Sequence, residues 1–163
     1  WRRTLMWAAI ALAAAEAGAL GLGELIRHTT DWPPLDVAYI RRSIAGDPLA
    51  YVAWIVLVVW GSAAFAEELF ARGFVMDRLQ VTFGRGRIGV VVAVLLQAAL
   101  FGLLHAVQGP TGIVITAYVG VVFAIAYFAS GRNLWAPILA HGAADTISLT
   151  LLFLRVPLPG YAT

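Results

Sequence analysis

The sequence contains 163 residues, of which 61% are hydrophobic and only 12% are charged. Soluble domains average about 45–50% apolar and about 25% charged residues, so this composition indicates a membrane protein and excludes an ordinary water-soluble domain. The formal net charge is +2, and all 11 basic residues are arginines that occur in ones and twos along the chain. Because nucleic-acid binding needs a concentrated basic surface, we expect no nucleic-acid partner.

Two missing residue types exclude several kinds of site. The sequence has no cysteine, which excludes disulfides, thiolate zinc ligands and a cysteine nucleophile. It has no lysine either, which excludes a Schiff base. The chain begins at Trp1, and its first apolar run is longer than the core of a signal peptide and lacks a cleavage site of small residues. We therefore expect a membrane domain whose N-terminus has been trimmed.

Five stretches are apolar enough to cross a bilayer, which takes about 20 residues in a helix. They run approximately over residues 5–25, 49–80, 88–107, 113–130 and 134–154, the last one interrupted early by Pro137. Residues 27–48 are polar and rich in turn signals, and we expect them to form a loop at the interface. The sequence thus predicts an all-α, polytopic transmembrane bundle of about five spanning helices, in one membrane domain over residues 1–163.

The arginines that flank these stretches favour one orientation. With the N-terminus inside, the inner side would hold Arg2, Arg3, Arg78, Arg85, Arg87 and Arg132, and the outer side Arg27, Arg41, Arg42 and Arg155. The positive-inside rule therefore favours an inside N-terminus, in what we expect to be the cytoplasmic membrane of a bacterium or archaeon.

The first stretch carries small residues and one acid. Ala14, Gly18 and Leu22 lie on one stripe, a pattern that lets helices approach closely. Glu16 stands in the middle of this stretch and either pairs with Arg72 across helices or is protonated.

Ionisable side chains inside a membrane cost about 2.5–3.5 kcal/mol each on insertion scales, so they are candidates for a functional site. The second stretch carries Glu67, Glu68 and Arg72. Glu68 and Arg72 are four residues apart and share a helix face, so they can form an ion pair that offsets part of the burial cost. Glu67 is left over. Alternatively, the two glutamates mark the wet end of the helix.

Two further stretches carry histidines. His105 follows Phe101 by four residues, and by itself it is also consistent with an interfacial or core histidine. His141 and Asp145 are four residues apart, which places them on one helix face. A histidine paired with a carboxylate in an apolar helix favours function over a buried structural pair. The third histidine, His28, is expected to be solvated in the first loop.

Helix geometry relates these residues to one another. Glu67 and His105 are each 19 residues from Gly86, so in an antiparallel helix pair that turns there they lie level, about 28 Å from the turn. His141 lies only about 8 residues, or ~12 Å, into its own span. Tilt, or unwinding around Pro137, would have to close a gap of about 10 Å if all these residues form one site.

A site of this composition suits the activation of water. A glutamate can accept a proton from water, an imidazole can orient or relay it, and a second polar pair can stabilise the oxyanion formed on a carbonyl. The chemistry indicated is peptide hydrolysis within the membrane. Ser130 faintly resembles the serine of rhomboid proteases, but its place at the end of a span is more typical of helix termination.

Three motifs, taken in chain order, resemble those of the CAAX protease and bacteriocin-processing family of intramembrane proteases, also called the Abi family. The family pattern is Glu-Glu-x-x-x-Arg, Phe-x-x-x-His and His-x-x-x-Asn or Asp, each on its own transmembrane helix. Here the motifs read Glu67-Glu68-x-x-x-Arg72, Phe101-x-x-x-His105 and His141-x-x-x-Asp145. The resemblance covers about residues 50–155.

The resemblance implies an intramembrane endopeptidase that acts on a peptide or membrane-protein substrate. It implies that water is activated by Glu67 and His105, that the oxyanion site is formed by His141 and Asp145, and that these are held in place by Glu68 and Arg72. Asp145 departs from the CAAX-processing members, which carry Asn, and an ionised carboxylate cannot donate a hydrogen bond to an oxyanion. It is therefore protonated, orients His141, or binds a positive group.

Other assignments use the same residues. We expect no required cofactor, but a zinc-dependent protease is the alternative, with Glu67, His105, His141 and Asp145 as the metal ligands. No His-Glu-x-x-His helix is present. A non-catalytic scaffold or immunity protein of the same fold is a second alternative, and a transporter or proton relay that uses Glu16, Glu67 and His105 is a third. No feature of the sequence indicates a binding site for a prenyl group, so a prenylated substrate is not expected.

Overall fold

The structure, a computed structural model, describes residues 1–156, which form helices and no β-strand. In chain order the helices are α1 (Arg2–Thr29), α2 (Ala38–Ile44), α3 (Pro48–Phe83), α4 (Arg87–Leu104), α5 (Gly109–Ala129) and α6 (Trp135–Phe153). All except α2 are long and apolar enough to cross a membrane. The predicted all-α bundle with five spanning helices is confirmed, and the chain is a multi-pass membrane protein.

Helix α3 begins at a defined cap and is longer than a bilayer requires. The Asp47 carboxylate accepts hydrogen bonds from the N–H groups of Leu49 and Ala50, and Pro48 occupies the first helical position, where its missing N–H costs nothing. With 36 residues, α3 is nominally about 54 Å long. Residues Trp54–Glu67 and Leu69–Val75 are wound as π-helix, a rare winding that is frequent at functional sites.

The predicted loop over residues 27–48 is wrong in part. Helix α1 continues to Thr29, so His28 lies in its last turn, where the side chain is solvated as expected. Helix α2 forms because Ile40 and Ile44 are four residues apart and present one apolar face. That face packs against Val59 of α3 and Leu149 of α6.

Two predicted features of the later spans need correction. The third span ends at Leu104 rather than near Val107, because Gly109, with a φ of 81°, and Pro110 start the next helix and leave only a short 3₁₀ turn between the two. Pro137 does not interrupt α6. It is the third residue of that helix, where the N–H it lacks would have had no partner within the helix.

The small-residue stripe of α1 lies against α5, as predicted. The Tyr118 ring occupies the space where Gly18 has no side chain, and its hydroxyl donates a hydrogen bond of 2.9 Å to the Ala14 carbonyl. Ala15 packs in one buried cluster with Phe123 of α5 and Ala140 of α6. Helix α1 is thereby fixed beside the two helices that carry later parts of the site.

Candidate active site

The predicted ion pair on α3 is confirmed and lies at the centre of the site. Arg72 Nη1 is 2.7 Å from Glu68 Oε1, and both side chains are fully buried. Arg72 also donates to the Gly120 carbonyl at 2.9 Å, and its guanidinium carbon lies 4.6 Å from the centre of the Phe101 ring. A buried charge is costly unless it is paired and hydrogen-bonded. These contacts provide that compensation, and together they hold the guanidinium in one position.

His141 is joined to this pair by a contact that the sequence did not indicate. Its Nδ1 lies 2.9 Å from Glu68 Oε1, so one carboxylate oxygen faces both Arg72 and His141. On the other side of the ring, Nε2 lies 3.4 Å from Asp145 Oδ2, which confirms the predicted pair on α6. Residue spacing along one helix predicts the His141–Asp145 contact. It does not predict the His141–Glu68 contact, which joins two helices.

Glu67 and His105 face each other, as their equal distance from the turn predicts. His105 Nε2 lies 4.0 Å from Glu67 Oε2. The Nδ1 of His105 lies 2.8 Å from the Phe101 carbonyl oxygen. Since a carbonyl only accepts hydrogen bonds, Nδ1 carries the hydrogen, and Nε2 is the ring nitrogen that faces Glu67. Within residues 1–156, Glu67 Oε2 is buried and has no hydrogen-bond partner.

The two histidines both lie near one aromatic ring. The centre of the Phe101 ring is 5.0 Å from that of His105 and 6.1 Å from that of His141. Three helices therefore bring the acids and imidazoles together, and the expected gap of about 10 Å is closed.

The turn before α6 is linked to α3. Arg132, in that turn, donates to the Gln80 side chain at 3.0 Å, and His141, farther along α6, lies 2.9 Å from Glu68 of α3. The gap expected from counting residues along each span is therefore not present.

A cavity of about 270 Å³ lies beside these residues. Its polar wall contains Glu67, His105, His141, Asp145 and Glu16. Apolar side chains form most of the remaining wall, and the segment between α1 and α2 contributes Leu35 and Val37. The Glu67 and Asp145 side chains are 36% and 40% exposed, so both are partly open to this cavity, although the Oε2 atom of Glu67 is itself buried.

The remaining polar residues singled out from the sequence have simpler roles. Glu16 does not pair with Arg72, and in the described part of the chain it has no ion-pair partner. Ser130 follows the end of α5, and its hydroxyl donates to the Tyr127 carbonyl at 3.0 Å. This contact agrees with helix termination.

The four candidate zinc ligands do not fit a zinc site in this arrangement. A catalytic zinc takes three protein ligands and leaves one position open. Both ring nitrogens of His141 face carboxylates, and Nδ1 of His105 is bound to a carbonyl. His105 Nε2 and the Glu67 carboxylate face each other and would supply two ligands, and no group of three or more acidic or imidazole side chains within residues 1–156 is arranged to hold a metal.

Comparison with known protein families agrees with the motifs. Residues 49–147 match the Rce1-like family, described as type II CAAX prenyl endopeptidase Rce1-like. The match covers more than half of the chain and includes all three motifs. No curated protein and no solved structure gives a significant match. The chain belongs to the Rce1-like family of type II CAAX prenyl endopeptidases and is a membrane-embedded protease.

Proposed function

We propose that the protein hydrolyses a peptide bond of a peptide or membrane-protein substrate with a water molecule activated by Glu67 and His105. The observation that carries this proposal is the buried, unpartnered Glu67 Oε2 at 4.0 Å from His105 Nε2. A polar gap of this length suits a bridging water. With its oxygen at ~2.8 Å from each atom, the water can donate one hydrogen to the carboxylate and one to the imidazole.

In the proposed reaction, the water oxygen attacks the substrate carbonyl carbon while a proton passes to Glu67. The carbonyl oxygen becomes the oxyanion of a tetrahedral intermediate. When the carbon–nitrogen bond breaks, Glu67 returns its proton to the leaving amine, so the carboxylate is restored. His105 orients the water through Nε2, and the hydrogen bond from its Nδ1 to Phe101 keeps the ring in this orientation.

His141 is the proposed oxyanion donor. Glu68 accepts from its Nδ1 at 2.9 Å, whereas the contact of Nε2 with Asp145 is 3.4 Å and therefore weak. An N–H at Nε2 is thus free to turn its hydrogen bond to a developing oxyanion, where it is most effective in a low-dielectric site. Of the three roles open to Asp145, this geometry favours orienting His141.

We propose further that no metal takes part, because no three of the acidic and imidazole side chains within residues 1–156 are arranged to ligate one. We expect the rate of cleavage of a quenched fluorescent peptide to be unchanged by 1,10-phenanthroline. We also expect elemental analysis of the purified protein to give far less than one zinc per chain. Loss of activity with the chelator, restored by added zinc, would contradict this expectation and favour the zinc-dependent alternative.

The proposed orientation has the N-terminus inside. Arg3 donates to the Ala129 carbonyl at 2.8 Å, so the start of α1 and the end of α5 lie at the same end of the bundle, which is also that of the arginine-rich turn between α3 and α4. The cavity lies towards the opposite end, beside the segment that follows α1. With the arginines inside, the site opens in the outer half of the membrane.

Replacing His105 with alanine is expected to lower kcat by about 100-fold, the lower end of what a positioned acid–base group contributes. The measurement is the cleavage rate of a pool of quenched hydrophobic peptides in proteoliposomes. His28→Ala is the matched control, because His28 is exposed at the end of α1 and far from the cavity lining. Equal rates for both variants would remove His105 from the mechanism. Selective peptide capture without cleavage by the unmodified protein would favour the scaffold alternative.

A further inference from the structure

One acid in the cavity has no basic partner. Glu68 is paired with Arg72, Asp145 contacts His141, and Glu67 faces His105 at 4.0 Å. Glu16 also lines the cavity, yet within residues 1–156 it has no ion-pair partner, and no arginine lines this cavity. Of these four acids, Glu16 alone therefore faces no basic side chain within the described residues.

The packing of α1 places Glu16 at the cavity. Ala15 is buried against Phe123 and Ala140, the residue before His141. Glu16 and Ala19 then line the cavity, whose lining also includes Asp145 of α6. Two acids from different helices thus line one cavity.

A wet helix end does not explain this acid. Glu16 lies in the middle of α1, which extends from Arg2 to Thr29. An unpaired carboxylate at such a depth is unfavourable, and residues of this kind face a cavity or a functional path. The cost falls when a cation enters and is paired with the carboxylate.

We infer that Glu16 is a specificity-determining residue that binds the basic side chain of a lysine or arginine in the substrate. This inference rests on the proposed function and names its substrate class: a hydrophobic peptide segment with one basic residue near the cleaved bond. Asp145, in the same cavity lining, assists, while the cavity's apolar side chains contact the rest of the segment. Glu16 lies outside residues 49–147, so the matched region of the family does not contain it.

Paired peptides test this inference. One set of quenched hydrophobic peptides carries a single arginine at successive positions, and the matched set carries norleucine instead. We expect the unmodified protein to favour the arginine peptides at one or two positions. In Glu16→Gln, this preference in kcat/KM should fall by about tenfold or more, since hydrogen bonds to charged groups are worth that much. The Glu16→Arg variant should instead prefer peptides that carry glutamate at the position where the unmodified protein prefers arginine.

The matched control is Glu24→Gln. Glu24 is on the same helix but is exposed and paired with Arg27 at 2.6 Å, so the arginine preference should be kept. A Glu16→Gln variant that slows both peptide sets equally would overturn the inference and leave the protease assignment intact. Cleavage that survives Glu67→Gln would instead contradict the proposed mechanism.

Binding provides a second measurement that does not need turnover. The Glu67→Gln variant should bind a fluorescent arginine peptide more tightly than its norleucine counterpart, as followed by anisotropy. Adding Glu16→Gln to this variant should remove the difference. Equal affinity for the two peptides before Glu16 is changed would also overturn the inference.

Discussion

Replacing Glu67 with glutamine is expected to lower kcat by about 10³-fold, within the range of a general base. The amide is nearly the same size as the carboxylate but cannot take a proton from water. The glutamine side chain can still occupy the same place beside His105 Nε2, so the affinity for substrate should change little. The measurement is kcat and KM for one cleaved peptide in proteoliposomes, with the unfolding temperature of each variant measured in the same detergent.

Two comparisons make this result specific. Glu24→Gln removes a carboxylate of the same kind from an exposed position, and it should leave kcat unchanged. Glu67→Asp keeps the charge but moves it back by one methylene, so it should retain part of the activity that Glu67→Gln loses. Activity of Glu67→Gln within a few-fold of the unmodified protein would show that another group accepts the proton.

The parts of this site that the sequence predicted depend on positions within one helix. Helix geometry places residues four apart on one face, and this was enough for the Glu68–Arg72 and His141–Asp145 contacts. The level of Glu67 with His105 also followed, because a short turn joins their two helices and the residues can be counted from it. These predictions needed no knowledge of how the other helices pack.

The contacts that the sequence did not predict depend on the relative level of separate helices. The contact of His141 with Glu68 joins α6 to α3, as does the hydrogen bond from Arg132, in the turn before α6, to Gln80. Contacts between side chains far apart in the sequence determine the relative level of two helices, and the spacing of residues within one helix does not predict it. Pro137 was misinterpreted for a different reason: in the first turn of a helix a proline removes no hydrogen bond within the helix, so it does not interrupt the span.

The second large effect is expected from Arg72→Met, which keeps the length of the side chain and removes its charge. Glu68 would then keep a buried carboxylate with His141 as its remaining basic partner. Breaking a buried ion pair typically costs about 3–5 kcal/mol, and we expect a decrease of this size in the free energy of unfolding, measured in bicelles. Arg78→Met is the control on the same helix, since Arg78 is 62% exposed and should change stability little.

Adding Glu68→Met separates the structural role of this pair from its role in the reaction. The double variant lacks both the Glu68 carboxylate and the Arg72 guanidinium. It therefore has no unpaired charge buried at this position, so much of the lost stability should return. Activity should not return, because His141 Nδ1 no longer has the acceptor at 2.9 Å that fixes its ring. A double variant that regains both stability and cleavage would mean that the pair only fills space, and that His141 needs no fixed orientation to stabilise an oxyanion. Recovery of stability alone would place Glu68 between the buried arginine and the imidazole as the group that positions the oxyanion donor.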